Sequence, residues 1–116
     1  MTNKIIEDGI KDATEVLNEI EGLPLEQRKG LFDLADGMLT NIKAFVNSSE
    51  AWKKINEFEE KIHKDFKNKL DEARKELEKQ DSLTRWQDGL SYMMDLRMWK
   101  TRETLAFWNK LNQKDI

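Results

Sequence analysis

Apolar residues recur along this chain at intervals of three and four, the spacing that places side chains on one face of an α-helix. The first such segment covers residues 3–21. Its stripe consists of Ile6, Ile10, Ala13, Leu17 and Ile20. Thr2 or Asn3 can cap its start, and the Gly-Leu-Pro sequence at residues 22–24 ends it. We therefore predict a first amphipathic helix over residues 3–21.

A second helix is predicted over residues 24–46, starting at Pro24, whose missing N–H has no partner in the first turn anyway. Its apolar face is broad and consists of Leu31, Leu34, Ala35, Met38, Leu39, Ile42, Phe45 and Val46. Gly30 and Gly37 lie seven residues apart and share one face. A glycine inside a helix costs up to about 1 kcal/mol. Either another helix approaches closely there, or the helix merely tolerates both glycines.

A long, highly charged third helix is predicted over residues 49–80, after a polar break at residues 47–49. Its narrow apolar stripe resembles a coiled-coil seam and consists of Trp52, Ile55, Phe58, Ile62, Phe66, Leu70, Ala73 and Leu77. Asp81 and Ser82 can cap a fourth helix over residues 83–112. Because no Gly or Pro interrupts this region before Gly89, one continuous rod of roughly 90 Å stays open as an alternative.

These segments predict an all-α fold, an antiparallel bundle of about four helices in a single domain over residues 1–116. The composition, 38% hydrophobic and 37% charged, can form a core but contains no run of roughly 18 apolar residues for a membrane span. The N-terminal residues lack an apolar signal segment, and the chain contains no Cys. We therefore expect a cytoplasmic protein.

The predicted fourth helix departs from the single-stripe pattern, because it holds three of the four Trp and three of the five Met. One stripe consists of Leu83, Trp86, Leu90, Met94, Met98, Thr101, Leu105 and Trp108. A second stripe, rotated around the helix, consists of Tyr92, Leu96, Trp99 and Phe107. An ordinary surface helix has one apolar stripe. This helix is therefore either the central helix of the bundle, covered on both sides, or it exposes its second stripe.

We interpret the second stripe as a contact surface for a protein partner, because exposed apolar patches rich in Trp, Tyr and Arg are typical of such surfaces. The candidate partner-binding residues are Tyr92, Leu96, Arg97, Trp99, Lys100, Arg102 and Phe107. The predicted function is a non-enzymatic binding protein of the inhibitor, immunity or adaptor type. Self-association through the same helix is one alternative. Binding of nucleic acid or an anionic membrane is another, although the net charge of −3 argues against it.

Glu60 and His63 match the Glu-x-x-His spacing that di-iron helical bundles use to bind metal. That site needs two such motifs and two further carboxylates, whereas His63 is the only His in the chain. The sequence places no nucleophile beside a base and contains no glycine-rich phosphate loop. We therefore predict no enzymatic activity, no metal and no cofactor.

Overall fold

The computed structural model describes residues 3–113, which form four α-helices and two short 3₁₀ segments without any strand. The helices are α1 (Lys4–Ile20), α2 (Arg28–Asn41), α3 (Ser49–Leu77) and α4 (Ser82–Asn112). The 3₁₀ segments Leu25–Gln27 and Ile42–Phe45 extend α2 at its two ends. The predicted all-α bundle is confirmed. Residues 1–2 and 114–116 of the predicted domain, including the alternative cap Thr2, lie outside the described residues.

Three of the helices begin at a polar side chain that accepts a backbone N–H of the first turn. Asn3 accepts from Ile5 at 3.0 Å at the start of α1. Ser48 Oγ accepts from Ala51 at 3.2 Å, and Asp81 Oδ1 accepts from Thr84 at 2.9 Å. Such acceptors satisfy N–H groups that have no partner within the helix. The polar breaks in the sequence therefore set where α1, α3 and α4 start.

The helices α3 and α4 form a long antiparallel hairpin, which excludes the continuous rod. The chain reverses at residues 78–81, between the end of α3 and the cap of α4. The Arg85 guanidinium fastens this turn by donating to the carbonyl of Leu77 at 3.2 Å and to that of Gln80 at 2.8 Å. The opposite end of the molecule is fastened by Asn3, whose N–H donates to Asn112 Oδ1 at 3.2 Å.

The core lies where α1 and α2 pack on the C-terminal half of α4. Phe32 is fully buried there, although the predicted apolar face of the second helix omitted it. That face included Leu34 and Phe45, which are 47% and 43% exposed. The predicted face differs from the observed one because of how α2 packs on α4. Phe32 is directed towards α4, and the guanidinium carbon of Arg97 lies 5.0 Å from the centroid of its ring.

Close helix packing occurs at Gly9 of α1, and of the two alternatives for the glycines of α2 the structure favours toleration. A Cβ built on Gly30 or Gly37 would meet nothing within 4 Å, so these two are glycines that α2 tolerates. A Cβ on Gly9 of α1 would instead collide with the side chain of Ile42. The absence of a side chain at Gly9 therefore lets α1 approach the segment that follows α2.

The molecule consists of a thick body and a thin arm, within overall dimensions of 53 × 28 × 17 Å. In the body, α1 and α2 pack on α4 from Met94 onwards, and polar contacts join them to Arg97, Arg102 and Asn112. The arm is the rest of the α3–α4 hairpin, residues 70–93. No residue between 63 and 93 is buried. The arm is therefore a two-helix projection from a four-helix body.

Candidate functional site

The helix α4 is the covered central helix of the body in one part, and in the other part it exposes mainly residues of its first stripe, Leu83 and Trp86. Its C-terminal half is the central helix of the body, between α3 and the α1–α2 pair. The residues buried there are Met94, Met98, Thr101, Leu105, Trp108, Leu111 and Asn112. Its N-terminal part, residues 82–93, has no buried residue. The available contact surface of α4 is therefore concentrated in the arm.

The aromatic rings of the second stripe pack between α3 and α4. Phe107 stacks on Phe58, with ring centroids 4.2 Å apart and planes inclined by 4°. The Lys69 ammonium lies 5.0 Å from the centroid of the Trp99 ring. Phe107, Trp99 and Leu96 are each half-buried, whereas Tyr92 is 41% exposed. The structure thus places two of the three predicted aromatic anchors in an interface within this chain.

Arg97 joins α4 to α2 instead of standing free at the rim of a contact surface. Its Nη2 donates to Asp33 at 3.0 Å and to Asp36 at 2.8 Å, and its side chain is 19% exposed. Lys29 also donates to Asp33 at 2.8 Å. The hydrogen bond from Lys29, followed by that from Arg97, lowers the pKa of the Asp33 carboxyl. The positive charge of Arg97 is therefore compensated within the body.

The two remaining cations of the predicted site also have partners within the chain. Arg102 forms an ion pair with Glu21, just after α1. The Lys100 ammonium lies 5.2 Å from the centroid of the Phe66 ring on α3. Because salt bridges and cation–π contacts already engage these groups, they do not form an open basic patch. This arrangement weakens the case for nucleic acid or an anionic membrane as the ligand.

The exposed apolar surface of the described chain is concentrated on the arm. Of the seven large apolar side chains that are exposed, four lie there: Leu83, Trp86, Tyr92 and Met93. Leu83 and Trp86 are 69% and 68% exposed. The spacing of Leu83, Trp86, Leu90 and Met93 is three, four, three, which places them in one stripe of α4. Leu90 is half-buried and packs against the core of the body, whereas the other three are exposed. We call these four residues the arm face.

By their spacing Leu83 and Trp86 belong to the first stripe of α4, and neither they nor Met93 are among the candidate site residues predicted from the sequence. The stripe is indeed continuous along α4, but the α1–α2 pair covers only its C-terminal part. The sequence contains one indication that the stripe is only partly covered. The helices predicted at residues 3–21 and 24–46 are shorter than the one at 83–112, so they cannot cover its full length.

A groove of about 540 Å³ separates α2 from α3 in the body. Its apolar lining includes buried core residues such as Ile55 and Trp108, and Lys43 forms an ion pair with Glu59 across it. Glu60 and His63 both line this groove and are exposed.

Within residues 3–113, no cluster of three or more His, Cys, Asp or Glu could hold a metal ion.

Among the helices described over residues 3–113, none combines the length and apolar character needed to cross a membrane. In comparisons with known proteins, no family model, no curated protein and no solved structure matches this chain.

Proposed function

We propose that this chain is a non-enzymatic protein-binding module, of the inhibitor, immunity or adaptor type, that docks a protein partner through its arm. The observation that carries the proposal is the exposure of Leu83 and Trp86 by more than two-thirds. They continue a stripe that the body buries completely from Met94 onwards. Exposed apolar stripes of this kind typically mark interaction sites, and Trp is enriched among the residues that dominate binding energy.

The local structure of the arm supports this role, because it holds Trp86 in a defined position. The Asp81 cap and the two hydrogen bonds of Arg85 fix the start of α4 against the end of α3. A backbone that is already fixed loses little conformational entropy when a partner binds, and this favours affinity. The stripe spacing also suits an apolar helix face on the partner.

The residues predicted from the sequence take secondary places in this proposal. Tyr92 is exposed and, together with Leu96, lines a groove beside α3, where it would contact the edge of a partner. Trp99, Lys100 and Phe107 support the hairpin through their contacts with α3. The central anchors are Trp86 and Leu83.

Photo-crosslinking in cells that produce the protein tests this proposal. We expect a benzoylphenylalanine residue at position 86 to give a discrete adduct, which mass spectrometry then identifies. The same residue at position 34, a helical and exposed apolar site on α2, should give none. With the purified partner, Trp86→Ala should weaken binding by about 30-fold, as expected for a central aromatic anchor.

Leu34→Ala is the matched control for the binding measurement and should bind like the parent. Circular dichroism should give the same helicity and melting temperature for the parent and both variants, since both side chains are exposed. Undiminished binding by Trp86→Ala would contradict docking through the arm.

A further inference from the structure

The groove between α2 and α3 is an open side of the body. In the described part of the chain, α2 packs on α1 and α4 but not directly on α3. Lys43, just after α2, reaches across the groove to its ion pair with Glu59 of α3. The groove volume of about 540 Å³ lies within the range of roughly 300–1,000 Å³ that is typical of small-molecule sites. The size of the groove therefore suits a small ligand.

The groove is elongated along the helices and has an apolar floor. Its lining residues on α3 run from 55 to 63 and those on α4 from 100 to 108, a rise of about 12 Å in each helix. The apolar side chains along this length are Leu39, Ile55, Phe58, Ile62, Phe107 and Trp108. Because the burial of apolar surface is favourable, a floor of this shape suits an unbranched hydrocarbon chain that lies along the helices.

The charges around the groove favour an anionic head group on that chain. Two carboxylates of the lining are already compensated, because Asp36 accepts from Arg97 and Glu59 pairs with Lys43. A third, Glu60, is exposed to solvent, which screens its charge.

The half-buried Lys100 is the cation of the lining that has no such compensation. Its ammonium lies 5.2 Å from the centroid of the Phe66 ring. No carboxylate of residues 3–113 forms a salt bridge with it. Partial burial strengthens the attraction of this charge for an anion, so the groove combines an apolar floor with one available positive charge.

We propose that the groove binds a medium-chain carboxylic acid, with the carboxylate at Lys100 and the hydrocarbon chain along the floor towards Trp108. The site lies in the body, and it does not depend on the protein-binding role of the arm. Trp86→Ala, which removes the central anchor of the arm face, should therefore leave the binding of the acid unchanged.

Two probes with the same chain and opposite charges test this inference on the full chain. Decanoate should shift the NMR signals of Thr104 and of the Trp108 indole, with a dissociation constant of roughly 0.1–1 mM. Decylammonium should bind at least about ten-fold more weakly, because Lys100 repels it. Lys100→Met should weaken decanoate binding by about ten-fold, since it removes a charged hydrogen-bond donor.

Lys69→Met is the matched control, because Lys69 also lies over an aromatic ring but outside the groove. It should leave decanoate binding unchanged. Equal binding of the two probes, tighter binding of decylammonium, or decanoate binding that Lys100→Met leaves intact would overturn the inference. A chain that does not bind decanoate would also overturn it, without affecting the proposed function.

Fluorescence quenching tests the direction of the bound chain. Decanoate that is brominated at its terminal carbon should quench the fluorescence of Trp108, because its heavy atom lies at the end of the groove away from Lys100. Trp108→Phe, which keeps an aromatic ring in this buried site, should lose most of the quenching. Trp86→Phe in the arm should retain it. Quenching that persists in Trp108→Phe would place the chain elsewhere and overturn this arrangement.

Discussion

The body and the arm share the helix α4, but the apolar stripe of this helix is buried in the body and exposed in the arm. Trp108 in the body is 2% exposed, whereas Trp86 in the arm is 68% exposed. Both belong to the same stripe of α4, at positions that helical periodicity does not distinguish. The difference comes from the α1–α2 pair, which packs on one half of α4 only. A periodic stripe therefore identifies a surface that can be buried, and a neighbouring element decides whether it is.

The largest difference between the two regions should appear when a large aromatic side chain is removed from each. Phe32→Ala should lower the free energy of unfolding by about 3–5 kcal/mol, because it empties a fully buried site in the body. Trp86→Ala should change it by less than about 0.5 kcal/mol. Urea denaturation of both variants measures this. Similar losses in the two variants would mean that the arm face is covered within a single copy.

A methyl group added at a helical glycine should also separate the two regions. Gly9→Ala in the body should cost about 1–3 kcal/mol, because the new Cβ collides with Ile42. Gly89→Ala in the arm should stabilise the protein by up to about 1 kcal/mol. Its Cβ would lie 3.7 Å from Leu77 Cδ1, an ordinary van der Waals contact. Thermal unfolding of the two variants gives the comparison, and a stable Gly9→Ala variant would disprove the close approach of α1.

The smallest effects should come from acid titration of one carboxyl in each region. Hydrogen bonds from Lys29 and Arg97 lower the pKa of Asp33 in the body, and those from Thr84 lower the pKa of Asp81 in the arm. A carboxyl with a lowered pKa in the folded state stabilises the fold at higher pH. That stability is lost as the pH falls through its folded-state pKa, below about pH 4.

An Asn substitution isolates the contribution of Asp81. Because Asn is also a good helix cap, Asp81→Asn should keep its stability near neutral pH. It should then lose less stability than the parent on acidification, measured as the shift of the urea midpoint between pH 6 and pH 3, values about two units above and one unit below the ordinary carboxyl pKa. An unchanged acid loss in Asp81→Asn would show that this carboxyl is not the group responsible.

The sequence predicted the helices well because their ends are encoded locally. Asn3 caps α1, and the polar break before Ser49 and the Asp81 cap place the starts of α3 and α4 within a residue of their predicted positions. The division into body and arm, in contrast, is not encoded by residues that are close together in the sequence. It depends on where the α1–α2 pair sits along α4, through contacts such as those of Phe32 and Gly9.

The candidate site was harder to predict for the same reason. The closeness of Arg97 to Trp99 in the sequence suggests an exposed cation at the rim of a contact surface, but Arg97 forms ion pairs with Asp33 and Asp36 of α2, more than sixty residues away in sequence. Similarly, the ring of Phe107 stacks on that of Phe58 of α3. Residue type and spacing identified α4 as the unusual helix. Its exposed half could be recognised only once these long-range contacts were known.

The contact between Asn3 and Asn112 has a practical consequence for handling the protein. Anything joined before residue 3 or after residue 113 leaves the molecule at the same pole, beside this contact. The arm tip lies at the other pole, about 45 Å away along α4. A tag at either end would therefore anchor the chain to a sensor surface with Trp86 facing the solution. The orientation on such a surface then follows from the geometry of the chain, whichever end carries the tag.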